Sequence, residues 1–356
     1  MIFEGSQVEI VNPTINGQLP YLTKDLGHAD GIEGVGSDDF VESARQAKKS
    51  SIKNLQQLMF TNEGKNSNHS YLMPHEQLRF STRLEEDEVR AGGVTMKAAP
   101  LWAPSGKCAT TPEEYVLLAE FGNCSVTELL SDYDIDFRVK LSKKRWEKAQ
   151  LRTENWLKIQ LPMMAKKNIV VPVIYLPDDR QFEIHVQNLK ELLKNYEGTV
   201  CGLSIRGLNV NEDIDFDNLE KRLKMLPDGA RICLDLAKPK EIVLGRLAGV
   251  NIFGGQFAST QASNHKAMIL PTTAQPSRVP QMISLAENDH AGDKSQLSPD
   301  SPVDLSRAYI HHLTNVKEIL AHILLMKHNL DQMNKFIELI RSCSSEESLR
   351  NLLELF

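Results

Sequence analysis

From residue 168 to residue 258, short β-branched runs alternate with segments of helical periodicity. No other feature of the chain constrains its fold as much. "NIVVPVIYL" (168–176), "VCGLSIRGL" (200–208) and "RICLDL" (231–236) have the length and composition of buried strands. Between and after them come the amphipathic "RQFEIHVQNLKELLKNYE", a second helix over 215–226 and a third in "KPKEIVLGRLAGV"; "NIFGGQFA" (251–258) follows as a further strand. Strands that alternate with helices pair in parallel through right-handed crossovers. No strand-to-helix turn carries G-x-G-x-x-G or a Walker loop, which weighs against a nucleotide-binding Rossmann domain. The expected fold is α/β, a (β/α)8 barrel with its ligands at the C-terminal ends of the strands.

Upstream, "VTMKAAPLWAPSG" reads as a β-hairpin, "TTPEEYVLLAEFG" as a helix, "VTELLSDY" as a strand and 136–161 as a long helix. Thr111 and Glu114 have capping-box spacing, and Pro112 suits a first helical turn. Downstream, "AMILPT" reads as a last strand. Residues 271–305 hold five prolines and read as a mobile insertion. The tail reads as one helix over 305–330, with an apolar stripe of Tyr309, Leu313, Val316, Leu320 and Ile323; Ser344 and Glu347 then form a second capping box. In the first ninety residues "QVEIVNP" is an opening strand and one helix is expected near 38–60. The expected organisation is thus an N-terminal variable region (1–90), a barrel core (91–272), a flexible insertion (273–304) and a helical module (305–356).

The net charge of −6 gives no global attraction for nucleic acid, so any RNA contact needs a local basic patch. One such patch is the stripe Lys140, Lys144, Lys148 and Arg152 at i, i+4 spacing, which suits either RNA phosphates or a solvated face. The five cysteines are scattered without zinc or redox spacing, and "MIFEGSQVEI" lacks the basic start of a secretory signal; both suit a reducing, cytoplasmic setting. No segment is apolar for long enough to span a bilayer, and the run "AHILLM" (321–326) is far too short.

Three further groups bear on chemistry. His311, His312, His322 and His328 lack the spacing of a helical metal pair, which points to structural roles. "SDYDIDF" starts like a calcium loop, but Phe137 and Lys143 stand where glycine and glutamate are required. Asp132 nevertheless falls on the functional rim of a barrel, while Asp136 is suited to a helix N-cap.

Several segments together resemble one family. "GGVTMKAAPLWAPSG", "ELLSDYD", "CGLSIRGL", "PDGARICLDLAKPKEIVLGRLAGVNIF" and "SRAYIHHLTNVKEILAHILLMKHNL", in order over roughly residues 92–340, are similar to the tRNA-guanine transglycosylases, and within them to the non-catalytic half of the eukaryotic heterodimer. The resemblance implies an irregular (β/α)8 TIM barrel with a C-terminal helical module like the family's zinc subdomain. It implies a heterodimer with a catalytic subunit that exchanges guanine for queuine at the tRNA wobble position. It also implies a cytoplasmic location, with peripheral docking at the mitochondrial outer membrane.

Active members attack the ribose with one aspartate and use a second for proton transfer. By the resemblance, Gly254 stands at the nucleophile position, and the second aspartate's Asp-Ser-Gly-Gly-Phe-Gln segment has no counterpart. "PVIYLP" (172–177) stands for the base-reading G-x-V-Q-G-G, while Asp132, Gly202, Leu203 and Ser204 remain at base-contact positions. His328 matches one zinc ligand, and "QLSPDSPVDL" lacks the family's C-x-C-x2-C, so stoichiometric zinc is not expected. The expected function is that of a non-catalytic subunit. Two rivals stand beside it: a re-purposed barrel hydrolase or transferase using acids such as Asp132 and Asp235, and an RNA-binding or scaffold protein outside the queuine pathway.

Overall fold

The computed structural model describes residues 9–13, 32–35, 78–81, 93–103, 106–122, 126–132, 142–165, 168–196, 198–208, 214–234 and 236–356. Strands β1 (Glu9–Pro13), β2 (Ile32–Val35) and β3 (Leu78–Ser81) are followed by a hairpin, β4 (Ala99–Ala103) and β5 (Gly106–Thr110), and by helix α1 (Pro112–Gly122). Alternation then begins: β6 (Val126–Glu128), α2 (Lys143–Met163), β7 (Asn168–Ile174), α3 (Asp179–Leu193), β8 (Val200–Arg206), α4 (Phe216–Leu223), β9 (Ile232–Leu234), α5 (Pro239–Leu247), β10 (Ile252–Gly254) and α6 (Gln256–Ser263). Of these ten strands, all but the β4–β5 pair join one closed parallel barrel of eight, in the order β1-β2-β3-β6-β7-β8-β9-β10, with β10 returning to β1 through Val11 opposite Gly254. The connections among β1, β2 and β3, and with them the helix expected near 38–60, lie outside the described residues.

Side-chain alternation sorts the strands into two faces. Val170, Cys233 and Ile252 pack together with Val126 and Cys201, one residue from each of five adjacent strands, and fill the inside of the ring. Ile169, Val171 and Val173 face the other way and join Leu157, Leu161, Phe182 and Val186 beneath α2 and α3. Burying a Phe or Leu side chain contributes about 2 kcal/mol, so this outer layer carries most of the barrel's stability.

Helix starts follow local chemistry. At α1 the Thr111 N–H donates to Glu114 Oε2 (3.1 Å) and the Glu114 N–H to Thr111 Oγ1 (3.3 Å), the expected capping box. α2 starts later than the expected 136: its N-cap is Ser142, whose side chain accepts from the Arg145 N–H. Asp136, expected as that cap, lies outside the described residues.

Four expectations for the C-terminal part are corrected. The "AMILPT" strand, β11 (Lys266–Ile269), does not enter the barrel; it pairs antiparallel with β12 (Gln281–Ser284). Residues 273–304, expected as a flexible insertion, hold β12 and a 3-10 turn (Asn288–His290), because side chains tie them together and inward, as Arg278 to Asp300 (3.0 Å) and to Leu270 O (3.3 Å). The single helix expected over 305–330 is two, α7 (Arg307–Asn315) and α8 (Ile319–Ser342). Lys317, in the left-handed region at φ 57°, ends α7, and the Glu318 N–H reaches back to Leu313 O (2.9 Å). Such turns usually signal themselves with glycine, and here a lysine hides the stop. The last helix, α9 (Glu346–Leu353), is boxed by Ser345 and Ser348, one residue beyond the expected Ser344 and Glu347.

Candidate functional site at the C-terminal rim of the barrel

Gly254 ends β10, buried, and its N–H donates to Leu236 O (3.1 Å). Ile252 faces into the barrel, so position 254 does too. Gly254 is strand backbone and Gly255, at φ −99° and ψ 0°, caps α6; neither has the left-handed φ of Gly207 or Gly249. Backbone torsion therefore does not require glycine at either position. Close approach favours it at Gly202, where an added Cβ would meet Arg231 O at 3.1 Å.

Gly202 and Ser204 share the inner face of β8, and Leu203 turns outward into the core. Ser204 Oγ is buried with no hydrogen-bond partner among the described residues. At the same level Glu128, ending β6, pairs with Arg206, ending β8. This buried ion pair spans β7 and occupies the barrel mouth. Sequence reasoning missed it, although a charge ending each of two buried strands was a usable signal.

The segment after β6 is held by α2. Gln160 bonds both main-chain groups of Leu130, accepting from its N–H (2.8 Å) and donating to its carbonyl (3.2 Å). Thr153 Oγ1 accepts from the Asp132 N–H (3.1 Å). The Asp132 carboxylate is fully buried; it accepts both arms of Arg145 (2.8 and 2.9 Å) and Nη1 of Arg152 (2.9 Å). The expected lysine stripe is thus divided. Lys144 and Lys148 are exposed, Arg152 turns inward to Asp132, and Lys140 lies outside the described residues, as does Asp235.

The Tyr175–Pro177 loop is fixed by one residue of α4 that the sequence did not single out. Arg222 donates to the carbonyls of Leu176 and Pro177 (2.8 Å to the latter) and to Asp179 Oδ1 (2.6 Å). Its guanidinium lies over the Tyr175 ring, 4.5 Å from the centroid. Burial raises the Tyr175 phenol above its usual range, and the hydrogen bond from Arg222 lowers the Asp179 carboxyl. A loop whose carbonyls are already taken by a buried cation is a poor platform for a base. A pocket of about 250 Å³ lies at the opposite end of the barrel among Leu223, Leu226, Gly229, Ile232, Leu247 and Gly249.

In the helical module, His328 Nε2 donates to Met268 O (2.7 Å) and Nδ1 accepts from Ser301 Oγ (2.9 Å), and burial pushes the ring down to about 4. His311 is engaged likewise, by Leu285 O (2.8 Å) and Asn315 (2.8 Å). Among the described residues no three His, Cys, Asp or Glu side chains gather as a metal site would require. These donors do not fit the four-ligand zinc centre that the resemblance implies. No helix of the described residues is long and apolar enough to cross a membrane.

Comparison with known proteins gives a consistent picture. The sequence model of one family, described as queuine tRNA-ribosyltransferase, matches residues 55–356. Among curated proteins, the chain is similar to queuine tRNA-ribosyltransferase accessory subunit 2 of Aedes aegypti (26% identity over 72% of this chain and 64% of that protein). The proteins of the same name from Anopheles gambiae (27%, over 71% and 62%) and Drosophila melanogaster (26%, over 74% and 66%) are comparable. The chain spans somewhat less than two thirds of the length of the relatives it matches.

Proposed function

The chain belongs to the queuine tRNA-ribosyltransferase family, which it matches over residues 55–356, and we propose that within it the chain is a non-catalytic subunit, an irregular (β/α)8 barrel with a helical module, supporting a catalytic partner that exchanges guanine for queuine in tRNA. One observation carries this reading: two rim carboxylates, Glu128 and Asp132, are buried in ion pairs with arginines. Asp132 turns both of its oxygens to guanidiniums, so neither is presented to a base. Gly254, at the position of the family nucleophile, offers no atom to attack a ribose. The name shared by the relatives, accessory subunit, supports the same assignment.

The partner-facing surface is assigned to the α7–α8 corner. Tyr309 (42% exposed), Val316 (50%), Ile319 (73%) and Leu320 (39%) form an apolar edge there. Of the expected apolar stripe, Tyr309, Val316 and Leu320 are exposed and Leu313 is buried, because the turn at Lys317 swings α8 away from the line of α7. Lys144 and Lys148, exposed on α2, are the assigned tRNA contacts.

The test is labelled-guanine exchange into unmodified tRNA, by this chain alone and with a catalytic subunit, together with co-purification of the two. Exchange is expected only in the mixture, and the pair should co-elute. The double substitution Ile319→Glu and Leu320→Glu should abolish co-elution while leaving the chain folded. Exchange by this chain alone overturns the reading.

A further inference from the structure

Asp300 lies in the stretch between β12 and α7 where the resemblance would place cysteine ligands. Its Oδ1 accepts from Ser298 Oγ (2.9 Å) and Arg278 Nη1 (3.0 Å), and its Oδ2 accepts from Gln332 Nε2 (3.3 Å). Its main-chain carbonyl accepts from Lys335 Nζ (2.7 Å), which also reaches Asp331 (2.7 Å). One aspartate thus joins the turn after β11, its own loop and two successive turns of α8.

The same face of α8 reads the backbone of β11. β12 covers one edge of that strand. On the other side the Met268 N–H donates to Asn329 Oδ1 (2.9 Å), His328 accepts nothing there but donates to Met268 O, and the Leu270 N–H donates to Gln332 Oε1 (3.2 Å). Asn329 also donates to Lys266 O (3.0 Å) and to Ala258 O (3.2 Å) in α6. Buried main-chain groups need partners, and here a helix supplies with side chains what a neighbouring strand would supply with backbone.

We propose that Asp300 is the structural centre of the C-terminal module, an anion gathering donors where a zinc ion would gather ligands, so that the module assembles without metal. The charge logic is inverted relative to a zinc site. Zinc draws in deprotonated thiolates and neutral imidazoles. The Asp300 carboxylate draws in a guanidinium, an amide and a hydroxyl through charge-assisted hydrogen bonds that are stronger than neutral ones, while the Lys335 ammonium binds its main-chain carbonyl. Burial opposes its charge, yet the bonds from Ser298, Arg278 and Gln332 hold its carboxyl down at about 2, so the centre stays anionic. Arg278 and Lys335 at the same centre repel a divalent cation.

The experiment combines elemental analysis with thermal unfolding of the full chain, with and without 1,10-phenanthroline. Zinc should be well under one per chain, and the chelator should leave the melting temperature unchanged. Asp300→Asn keeps the shape but removes the charge, and should lower the melting temperature by about 4 °C or more. If Asp300→Asn does not fold, Gln332→Ala carries the same test, with a smaller fall. Two results overturn the proposal: stoichiometric zinc whose removal lowers the melting temperature, or wild-type melting in these variants.

Discussion

At the barrel rim, arginines converge on acceptors: Arg145 and Arg152 on Asp132, Arg206 on Glu128, Arg222 on the carbonyls of Leu176 and Pro177. In the C-terminal module, neutral side chains do most of the binding, with His328, Asn329 and Gln332 on the backbone of β11 and a single carboxylate at the centre. The rim is closed with buried charge, which fills space a ligand would need. The module is held by directional hydrogen bonds, which keep a shape. The first region should therefore respond most to deletion of a charge, and the second to a change of protonation.

The largest effect should follow from Asp132→Ala. It leaves two guanidiniums against a buried, unpaired site, which costs about 3–5 kcal/mol; the residual exposure of Arg145 and Arg152 favours the lower end. Urea unfolding measures it, and an unchanged midpoint would break the view of the rim as a charge-sealed structure.

Next comes acid sensitivity of the module. His328 is held near 4 in the folded chain against an ordinary value near 6.5, so the unfolded state binds the extra proton. Stability conferred by the neutral ring is then complete above about pH 6.5 and lost as pH falls toward 4, by about 3 kcal/mol. Asp331 and Asp300 favour the charged ring, Lys335 opposes it, and burial outweighs them. Asp300, depressed to about 2, adds a further loss below pH 4. His328→Gln should flatten the first window while leaving the second; an identical pH profile in that variant would contradict the assignment.

A smaller effect should sharpen the division within α2 itself. Exchanging the outward Lys144 and Lys148 for glutamate should weaken tRNA retention by the complex roughly three- to tenfold at low salt, with a shallower salt dependence, and leave stability unchanged. A filter-binding titration with no difference would remove this face from the RNA contact. The smallest effect is expected from Gly254→Asp. The backbone accepts the side chain, but labelled-guanine exchange should stay at background, because Arg222 still holds the Tyr175–Pro177 loop and arginines still engage Glu128 and Asp132. Turnover by this variant alone would show a rim more open than its ion pairs indicate.

Much of the barrel was legible in sequence because β7 to β10 alternate with amphipathic helices, and the α1 capping box could be read from Thr111 and Glu114 alone. What escaped reading depends on partners distant in sequence. Arg222 meets Leu176 across 46 positions and Asn329 meets Met268 across 61, and neither leaves a local pattern. The lysine stripe misled because periodicity gives a helix face, and the buried acid that draws Arg152 inward lies 20 positions upstream. Likewise Lys317 carried none of the glycine signal that marks the end of α7.

The pairing of β1 with β10 has a consequence in time. Every other seam joins strands that follow one another along the chain, with the β4–β5 hairpin and α1 set between β3 and β6, and this one joins Glu9–Val11 to Ile252–Gly254, most of the barrel sequence apart. During synthesis, β1 has its neighbour β2 early, while its other edge waits until α5 and β10 have emerged. Contacts so remote form slowly, and an uncovered strand edge is a place where chains associate wrongly. The seam that forms last is also the one where Gly254 contributes only main chain, so its closure relies on the strand ladder and not on side-chain packing at that residue.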